Sequence, residues 1–427
     1  MSPNQAIMQA VENLDYRVTI GDVVTQTGLN IGLASQGLLA LASDVGGHMQ
    51  VTESGDIVYE FPRKFRDILY SKDLSLQLQE WSRRIWKVLF YMIRIFFGIL
   101  LIVSIVLTYV AIFIITTSSK SDQDNDNRGG NFSGSFIYFS DLLWYLSPNY
   151  GVYKQGGRRE KNELNFLEAV FSFLFGDGDP NVNLEERRWQ EVADVIRNNS
   201  GAVIAEQISP YLDNICSGYS PEDEDYMLPV LVRFNGQPKV SNTGDIVYYF
   251  PELQVSASQK HHHSVSDYLQ EFSWRFSKAT PGQLMLSVGL GLVNFVGILI
   301  IGGLLTDIRF TTEVGGLVSF VQGIYWILWT YGIGFLAIPL IRYFWTQWCN
   351  TKISYRNQQR QARSSLLARN NSKLQQKIEY AGQFTNEKVI SKDDSVYSTS
   401  TDLIIQEIDS SARIETEWQH PLKERGD

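Results

Sequence analysis

Asp177-Gly-Asp-Pro-Asn181 sets oxygen-bearing side chains at alternate positions, as a calcium loop does at its start, because that ion collects carboxylate and carbonyl oxygens. The pattern then fails. Val182 stands at the sixth loop position, where a glycine is needed, and Arg188 at the twelfth, where a bidentate carboxylate is needed. The run reads better as a turn before a helix, with Asn183 as cap ahead of Leu184-Glu-Glu186. His261-His-His263 could offer imidazoles to a transition metal, but adjacent residues seldom converge on one ion, and these lie in a Ser/Gln-rich linker. Cys216 and Cys349 are too few and too far apart for a disulfide framework or a thiolate cluster. With only His48 and His420 besides, no Ser-His-Asp or Cys-His set assembles, and the carboxylates form no acid-base pair. We therefore expect no enzyme activity, no cofactor and no metal site.

The strongest pattern is a repeat. Val51-Thr-Glu-Ser-Gly-Asp-Ile-Val-Tyr-Glu-Phe-Pro62 returns as Val240-Ser-Asn-Thr-Gly-Asp-Ile-Val-Tyr-Tyr-Phe-Pro251. Each copy has the pattern of a β-hairpin whose turn uses Gly55 or Gly244 at positive φ. Its signature residues, Gly55, Asp56, Tyr59 and Pro62, then Gly244, Asp245, Tyr248 and Pro251, read as turn chemistry and core strand. Upstream, Asn4 to Leu14, Thr19 to Thr27 and Ile31 to Ala42 have helical spacing. The second copy offers Trp189 to Asn198, Ala202 to Leu212 and Asp225 to Phe234, with Pro229 weighing against its third helix. Three helices followed by a hairpin is the winged-helix arrangement.

Many winged helices bind DNA, which demands basic side chains on the third helix and wing. From Ser2 to Pro62 the only Lys or Arg is Arg17, against seven carboxylates. The second copy has Arg187, Arg188, Arg197, Arg233 and Lys239, outnumbered by acids that include Glu222-Asp-Glu-Asp225. Nucleic acid is therefore not the expected partner, and protein contact is. Leu38 and Leu41, on the Gly/Ala-rich third helix, are the candidate docking face, with the core of their own module as the equal alternative.

At 427 residues, with a formal charge of -9 and 44% hydrophobic content, the composition resembles that of an acidic soluble protein. The distribution does not. Leu89 to Ile115, Leu284 to Leu305 and Leu317 to Ile341 each exceed the roughly 20 apolar residues of a membrane span. Arg94 sits near enough to one end to snorkel, and Tyr343, Trp345 and Trp348 follow the last run as an interfacial belt would. Asn294 and Gln322 could bond across helices, and Ser319/Gly323 has close-packing spacing. Basic residues before the first span and after the last argue one side for both ends, which three crossings cannot satisfy. A fourth is expected from 132–146 or 164–175; interfacial helices there are the alternative. Lys352 to Lys377 reads as a basic helix against anionic headgroups or an acidic partner. The start is neither a secretory signal nor a transit peptide.

The order of N-terminal module, span, aromatic stretch, Phe171-Ser-Phe-Leu-Phe-Gly-Asp-Gly-Asp-Pro-Asn181, second module and paired C-terminal spans resembles a family of uncharacterised integral membrane proteins. It is found in cyanobacteria and, with a transit peptide, in plant chloroplasts. Plant members are sometimes labelled iron-sulfur cluster biosynthesis proteins. A-type cluster carriers use a separated Cys followed by Cys-x-Cys, and neither Cys216 nor Cys349 has such a neighbour. The resemblance implies a photosynthetic membrane, thylakoid or plasma membrane, with cyanobacterial origin expected from the missing transit peptide.

The expected fold class is mainly α with small β-hairpins: a multi-span α-helical membrane protein carrying two duplicated winged-helix-like modules. The expected boundaries are module one at 1–62, a basic amphipathic linker at 63–87 and spans at 88–116, 284–305 and 315–342. A linker occupies 117–183, module two 184–251, a His/Ser/Gln linker 252–282, a basic helix 350–380 and a disordered acidic tail 385–427. The expected function is a non-enzymatic scaffold or assembly factor, partnered by the lipid bilayer and a membrane-complex protein, with self-association a further option. A membrane-tethered DNA-binding regulator is the main rival, and an iron-sulfur or other metal protein the third reading.

Overall fold

Ile7, Ala10 and Val11 recur at three- and four-residue intervals, and α1 (Pro3–Asn13) forms there with those three side chains buried. After β1 (Arg17–Thr19) the chain enters α2 (Ile20–Thr27) through a capping box. Thr19 Oγ1 accepts from Asp22 N at 3.1 Å, and Asp22 Oδ2 accepts from Thr19 N at 3.0 Å. Asn30 caps α3 (Ile31–Val45), and β2 (His48–Thr52), β3 (Ile57–Glu60) and α4 (Phe65–Lys72) follow. The chain continues through α5 (Leu74–Ser118) and α6 (Phe166–Phe175) to α7 (Leu184–Asn198), β4 (Ala202–Val203), α8 (Ala205–Ile208), α9 (Leu228–Phe234), β5 (Gln237–Val240) and β6 (Ile246–Tyr249). Next come β7 (Val255–Ser256), α10 (Pro281–Thr306), α11 (Leu317–Ala368), α12 (Ser372–Gly382), β8 (Lys388–Val389) and β9 (Ser395–Ser398). This computed structural model describes residues 3–72, 74–118, 164–213, 224–257, 264–306, 316–368, 372–391, 394–408 and 411.

The protein is mainly helical with small sheets and divides into two units. The first gathers Met1–Leu78, Asn181–Phe272 and Ile353–Asp427. Its core runs without a break from Val11, Val24, Leu38 and Phe61 to Ile196, Val203, Phe234 and Phe250. One sheet has the order β1-β3-β2-β9 and another β4-β6-β5, so β1-β3-β2 and β4-β6-β5 share one layout. The expected helix 202–212 is instead β4, α8 and a 3-10 turn through Pro210. Pro229 does not prevent α9, because it lies in the first turn, where no intrahelical N–H partner is needed.

The second unit, Gln79–Pro180 and Ser273–Lys352, holds the membrane-length apolar stretches. Among the described residues three helices, α5, α10 and α11, are long and apolar enough to cross a membrane. At segment 164–175, α6 has ten residues, about 15 Å, roughly half a hydrocarbon core, which is shorter than a spanning helix. It packs with Val170, Phe173 and Leu174 among Leu101, Ile105, Leu290 and Phe335, and the Cβ position of Gly98 falls 2.8 Å from Leu167. The other return segment, 132–146, lies outside the described residues.

Three boundaries are corrected. The 63–87 linker is divided between α4, whose Phe65 is fully buried in the first unit's core, and the start of α5. The basic helix 350–380 is not separate, because no helix breaker follows Pro339 and α11 runs on to Ala368. The tail is not disordered throughout: β8 pairs in parallel with β7, β9 pairs antiparallel with β2, and Ile390 is buried. Within the 252–282 linker, Leu269 is core.

Candidate functional site

The repeated signature builds the same turn twice. Gly55 N donates to Thr52 O at 2.9 Å and Gly244 N to Ser241 O at 3.0 Å. Asp56 N reaches Thr52 Oγ1 and Asp245 N reaches Ser241 Oγ, while Ser54 Oγ and Thr243 Oγ1 donate to the respective aspartate Oδ2. The glycines take φ of 83° and 85°, where a side chain is strained. Tyr59 and Tyr248 are buried on β3 and β6, and Pro62 and Pro251 follow those strands half-buried. Phe61 N donates to Tyr16 O and Phe250 N to Gly201 O, both at 2.8 Å. The signature residues are thus accounted for by the fold.

The surroundings of the two turns differ. Lys388 Nζ lies 2.9 Å from Asp56 Oδ2 and also reaches Ser54. Burial raises the Asp56 carboxyl's proton affinity, but the Ser54 hydroxyl and Lys388 outweigh it and hold that carboxyl below its ordinary range. Tyr248 OH instead donates to Glu224 Oε2 at 2.8 Å, and Lys377 Nζ sits 3.0 Å from Glu224 and 2.9 Å from Glu206.

Leu38 and Leu41 are not a docking face. They are 0% and 7% exposed, on the stripe Ile31, Ala34, Leu38, Leu41, Ala42, Val45 that packs into the core. The exposed leucines of α3 are Leu33 and Leu39, at 50% and 52%. Both helices end on a left-handed residue, Gly46 donating to Ala42 O and Asn235 to Leu231 O, so Leu39 corresponds to Leu228, which is 62% exposed. By the same match Leu38 corresponds to Met227, and both are fully buried. The 3.6-residue period separates the stripes in the sequence itself: Leu33 and Leu39 fall off the core stripe.

Most of the basic side chains that could have met phosphate are turned onto this chain. Arg188 pairs with Glu185 and Asp213, and Arg197 with Asp22 at 2.5 Å. Arg233 Nε donates to Gly28 O at 2.8 Å, its guanidinium over Trp189. Arg360, 1% exposed, joins Asp213 to Glu271, with 2.7 Å to Glu271 Oε1, and Arg356 adds a two-pronged contact to Glu271. Burial pushes Glu271 up, but the two guanidiniums more than offset it and leave its carboxyl below the ordinary range. Arg363 donates to Leu212 O at 2.7 Å. The expected headgroup contact of the 350–380 stretch is therefore corrected for Arg356, Arg360, Arg363 and Lys377. Charge count gave no sign of this, because the partners lie about 80 to 170 residues away in sequence.

In the second unit, Asp177 is held by donors of the chain itself. Its oxygens accept from Arg94 at 3.2 Å, and from Ser172 Oγ and Lys278 N at 2.7 Å each. Arg94 is accordingly paired and stacked beside Phe90 and Phe171, where snorkelling was expected. Ser104 Oγ donates to Asn294 Oδ1 at 2.9 Å between α5 and α10, as a cross-helix bond should. Gln322, Ser319 and Gly323 are exposed, and the close approaches fall at Gly291 and Gly297 instead. Cys216 and His261–His263 lie outside the described residues, among which no three His, Cys, Asp or Glu side chains stand together as metal ligands.

No family model matches the chain, and no solved structure does. A protein of Arabidopsis thaliana described as "Uncharacterized protein At5g03900, chloroplastic" is 37% identical over 434 aligned positions, which cover 98% of this chain and 82% of the plant protein.

Proposed function

Because this chain belongs to the same family as that uncharacterised chloroplastic plant protein, we propose that it is a non-enzymatic scaffold or assembly factor of a photosynthetic membrane. In this reading the matching halves of the first unit are duplicated winged-helix-like modules that hold membrane-complex proteins at the cytoplasmic face, in a cyanobacterial setting of thylakoid or plasma membrane. One observation carries the choice over a tethered DNA-binding regulator: Arg188, Arg197 and Arg233 bond to the chain itself, and both third helices present leucine outward. A DNA-reading helix needs the reverse.

The same reading constrains topology. The first unit is assembled from the chain up to the start of α5, from the stretch between α6 and α10, and from the last part of α11 onward. One side of a membrane for all three pieces requires an even number of passes between each. The pair α10 and α11 satisfies this; the expected return segment 132–146 lies outside the described residues.

Affinity purification of the tagged protein from cyanobacterial membranes in mild detergent, half of it nuclease-treated, tests the proposal. Membrane-complex subunits retained after nuclease support a scaffold. Specific DNA in the untreated half with no stable protein partner overturns it.

A further inference from the structure

One end of the second unit is closed by a polar layer. Asp177, two residues past α6, accepts from Arg94 of α5 and from Lys278 N ahead of α10, and Arg342 of α11 donates to Ser172 O at 3.0 Å. Stretches 95–118, 281–306 and 317–341 hold no charged residue and lie to one side of this layer. We infer that the collar of cations and aromatic rings on its other side binds the headgroups of anionic lipids.

Contacts assemble the collar. Asn350 of α11 holds the segment 273–278 by both backbone groups of Trp274, accepting from its N at 2.8 Å and donating to its O at 3.0 Å. The Trp274 and Trp345 rings meet edge to face at 5.2 Å, and Phe276 and Tyr343 do so at 6.2 Å. Exposed Arg275 is thereby set beside the turn of α11 that carries Lys352, whose Nζ stands 3.4 Å from the centre of the Trp348 ring. Exposed Lys278 lies nearer the layer. On α5, exposed Lys87 precedes Arg94 by seven residues, which puts it on the same helical face and about 10 Å farther out.

Depth selects a lipid as the occupant, and charge selects an anionic one. Tyr343, Trp345 and Trp348 are 48%, 47% and 57% exposed. They follow Arg342 within about 9 Å along α11, the depth of an interfacial belt beside an apolar span. Cations among such rings lay their apolar stems along the belt and their charges at the level of lipid phosphate. Among the unit's described residues eight basic side chains stand against Glu80, Glu168, Asp177 and Asp179, all of them outside the three uncharged stretches. Of those carboxylates, Glu168 already accepts from Asn165 N and Asp177 from Arg94.

The test reconstitutes the full chain in nanodiscs of equimolar phosphatidylglycerol and phosphatidylcholine, strips them in mild neutral detergent and counts the retained lipids by mass spectrometry. Phosphatidylglycerol should be retained over phosphatidylcholine at least about fivefold, the effect of a single cation near a charged surface. Lys87→Gln, Arg275→Gln, Lys278→Gln and Lys352→Gln together should abolish the preference. Lys87→Arg, Arg275→Lys, Lys278→Arg and Lys352→Arg together should keep it, which separates lost charge from lost fold. Lys352→Gln alone should lower it. Equal retention of both lipids by the unaltered chain overturns the inference, as does a preference that survives the four glutamines. Soluble glycerol phosphate that raises the unfolding temperature as far as phosphatidylglycerol does also overturns it, in favour of a free phosphate. The inference rests on the membrane location and not on the scaffold role. Release of the chain from membranes by alkaline carbonate sinks that location, whereas a chain that stays and shows no lipid preference sinks this inference alone.

Discussion

The two hairpins of the first unit have one turn and two fates. Around Gly55 and around Gly244 the same hydroxyl and carboxylate hydrogen bonds close the same loop. The outer edge of the first hairpin is then paired by β9, with Lys388 on Asp56. Among the described residues no strand pairs with the outer edge of the second, β5, which carries Pro238, and its sheet is instead packed by α12, with Ala381 beside Ile204 and Val247. A sequence signature can therefore record how a loop folds without saying what surrounds it. In this chain the surroundings come from the region after the last membrane-length stretch, which pairs with one half and packs on the other.

The sharpest way to break the comparison is at Arg360, which holds Asp213 and Glu271 against the second half and, among the described residues, has no counterpart in the first. Arg360→Leu removes the cation that Asp213 and Glu271 share, leaving them Arg188 and Arg356 respectively, and should cost about 1.5–3 kcal/mol, as loss of a charge-assisted hydrogen bond does. Hydrogen exchange on the full chain should show α7 and β4 losing protection before α1 and β1. Simultaneous loss in both halves would mean that the common core, and not the charge lattice, sets local stability. A smaller effect separates the tyrosines. Tyr248→Phe forfeits a hydrogen bond to a carboxylate and should cost about 1.5–2 kcal/mol, while Tyr59→Phe, with no comparable bond to lose, should stay within about 0.5 kcal/mol. Chemical denaturation of the two variants side by side reads this, and equal costs would erase the distinction. Gly55→Ala and Gly244→Ala should each cost about 1 kcal/mol from positive φ alone, because nothing lies within 4 Å of either added Cβ. Unequal costs would show that the turns are less alike than their hydrogen bonds.

The sequence carried the local chemistry and missed the long-range pairing. The hairpins, the membrane-length helices and the core stripe of α3 follow from periods and turn residues that act within a dozen positions. Leu39 was as legible as Leu38, and of the two readings left open for the Leu38 and Leu41 stripe, docking face or module core, burial selects the core. The three-residue strand β1, the four-residue β9 and the two-residue β4 were not readable, since so short a segment is specified by its partner and not by its own alternation. The destinations of Arg356, Arg360 and Lys377 were illegible for the same reason. A cation in a basic run looks solvated until the fold delivers a carboxylate to it.

The smallest expected effect concerns two carboxyls that the first half lacks. Gly201 N donates to Ile196 O as Tyr16 N does to Val11 O, so Glu191 and Asp194 of α7 stand where α1 has Ala6 and Gln9. Burial pushes Glu191 up to about 7, Arg187 opposing and Asp194 adding to it, and burial lifts Asp194 to about 7 against the pull of Arg197. In the unfolded chain both ionise in the ordinary carboxylate range. Between that range and pH 7 the folded state therefore holds more protons, and stability falls as pH rises. Glu271 and Asp56 act in the opposite sense, since their depressed values favour the fold once they ionise. Glu191→Gln with Asp194→Asn should flatten the decline between pH 5 and 7, on the order of 2–4 °C in Tm for a unit of this size. The second half should respond first in hydrogen exchange. A decline that persists in the double variant would assign the pH dependence to groups the two halves share, and would remove α7 as a point of difference between them.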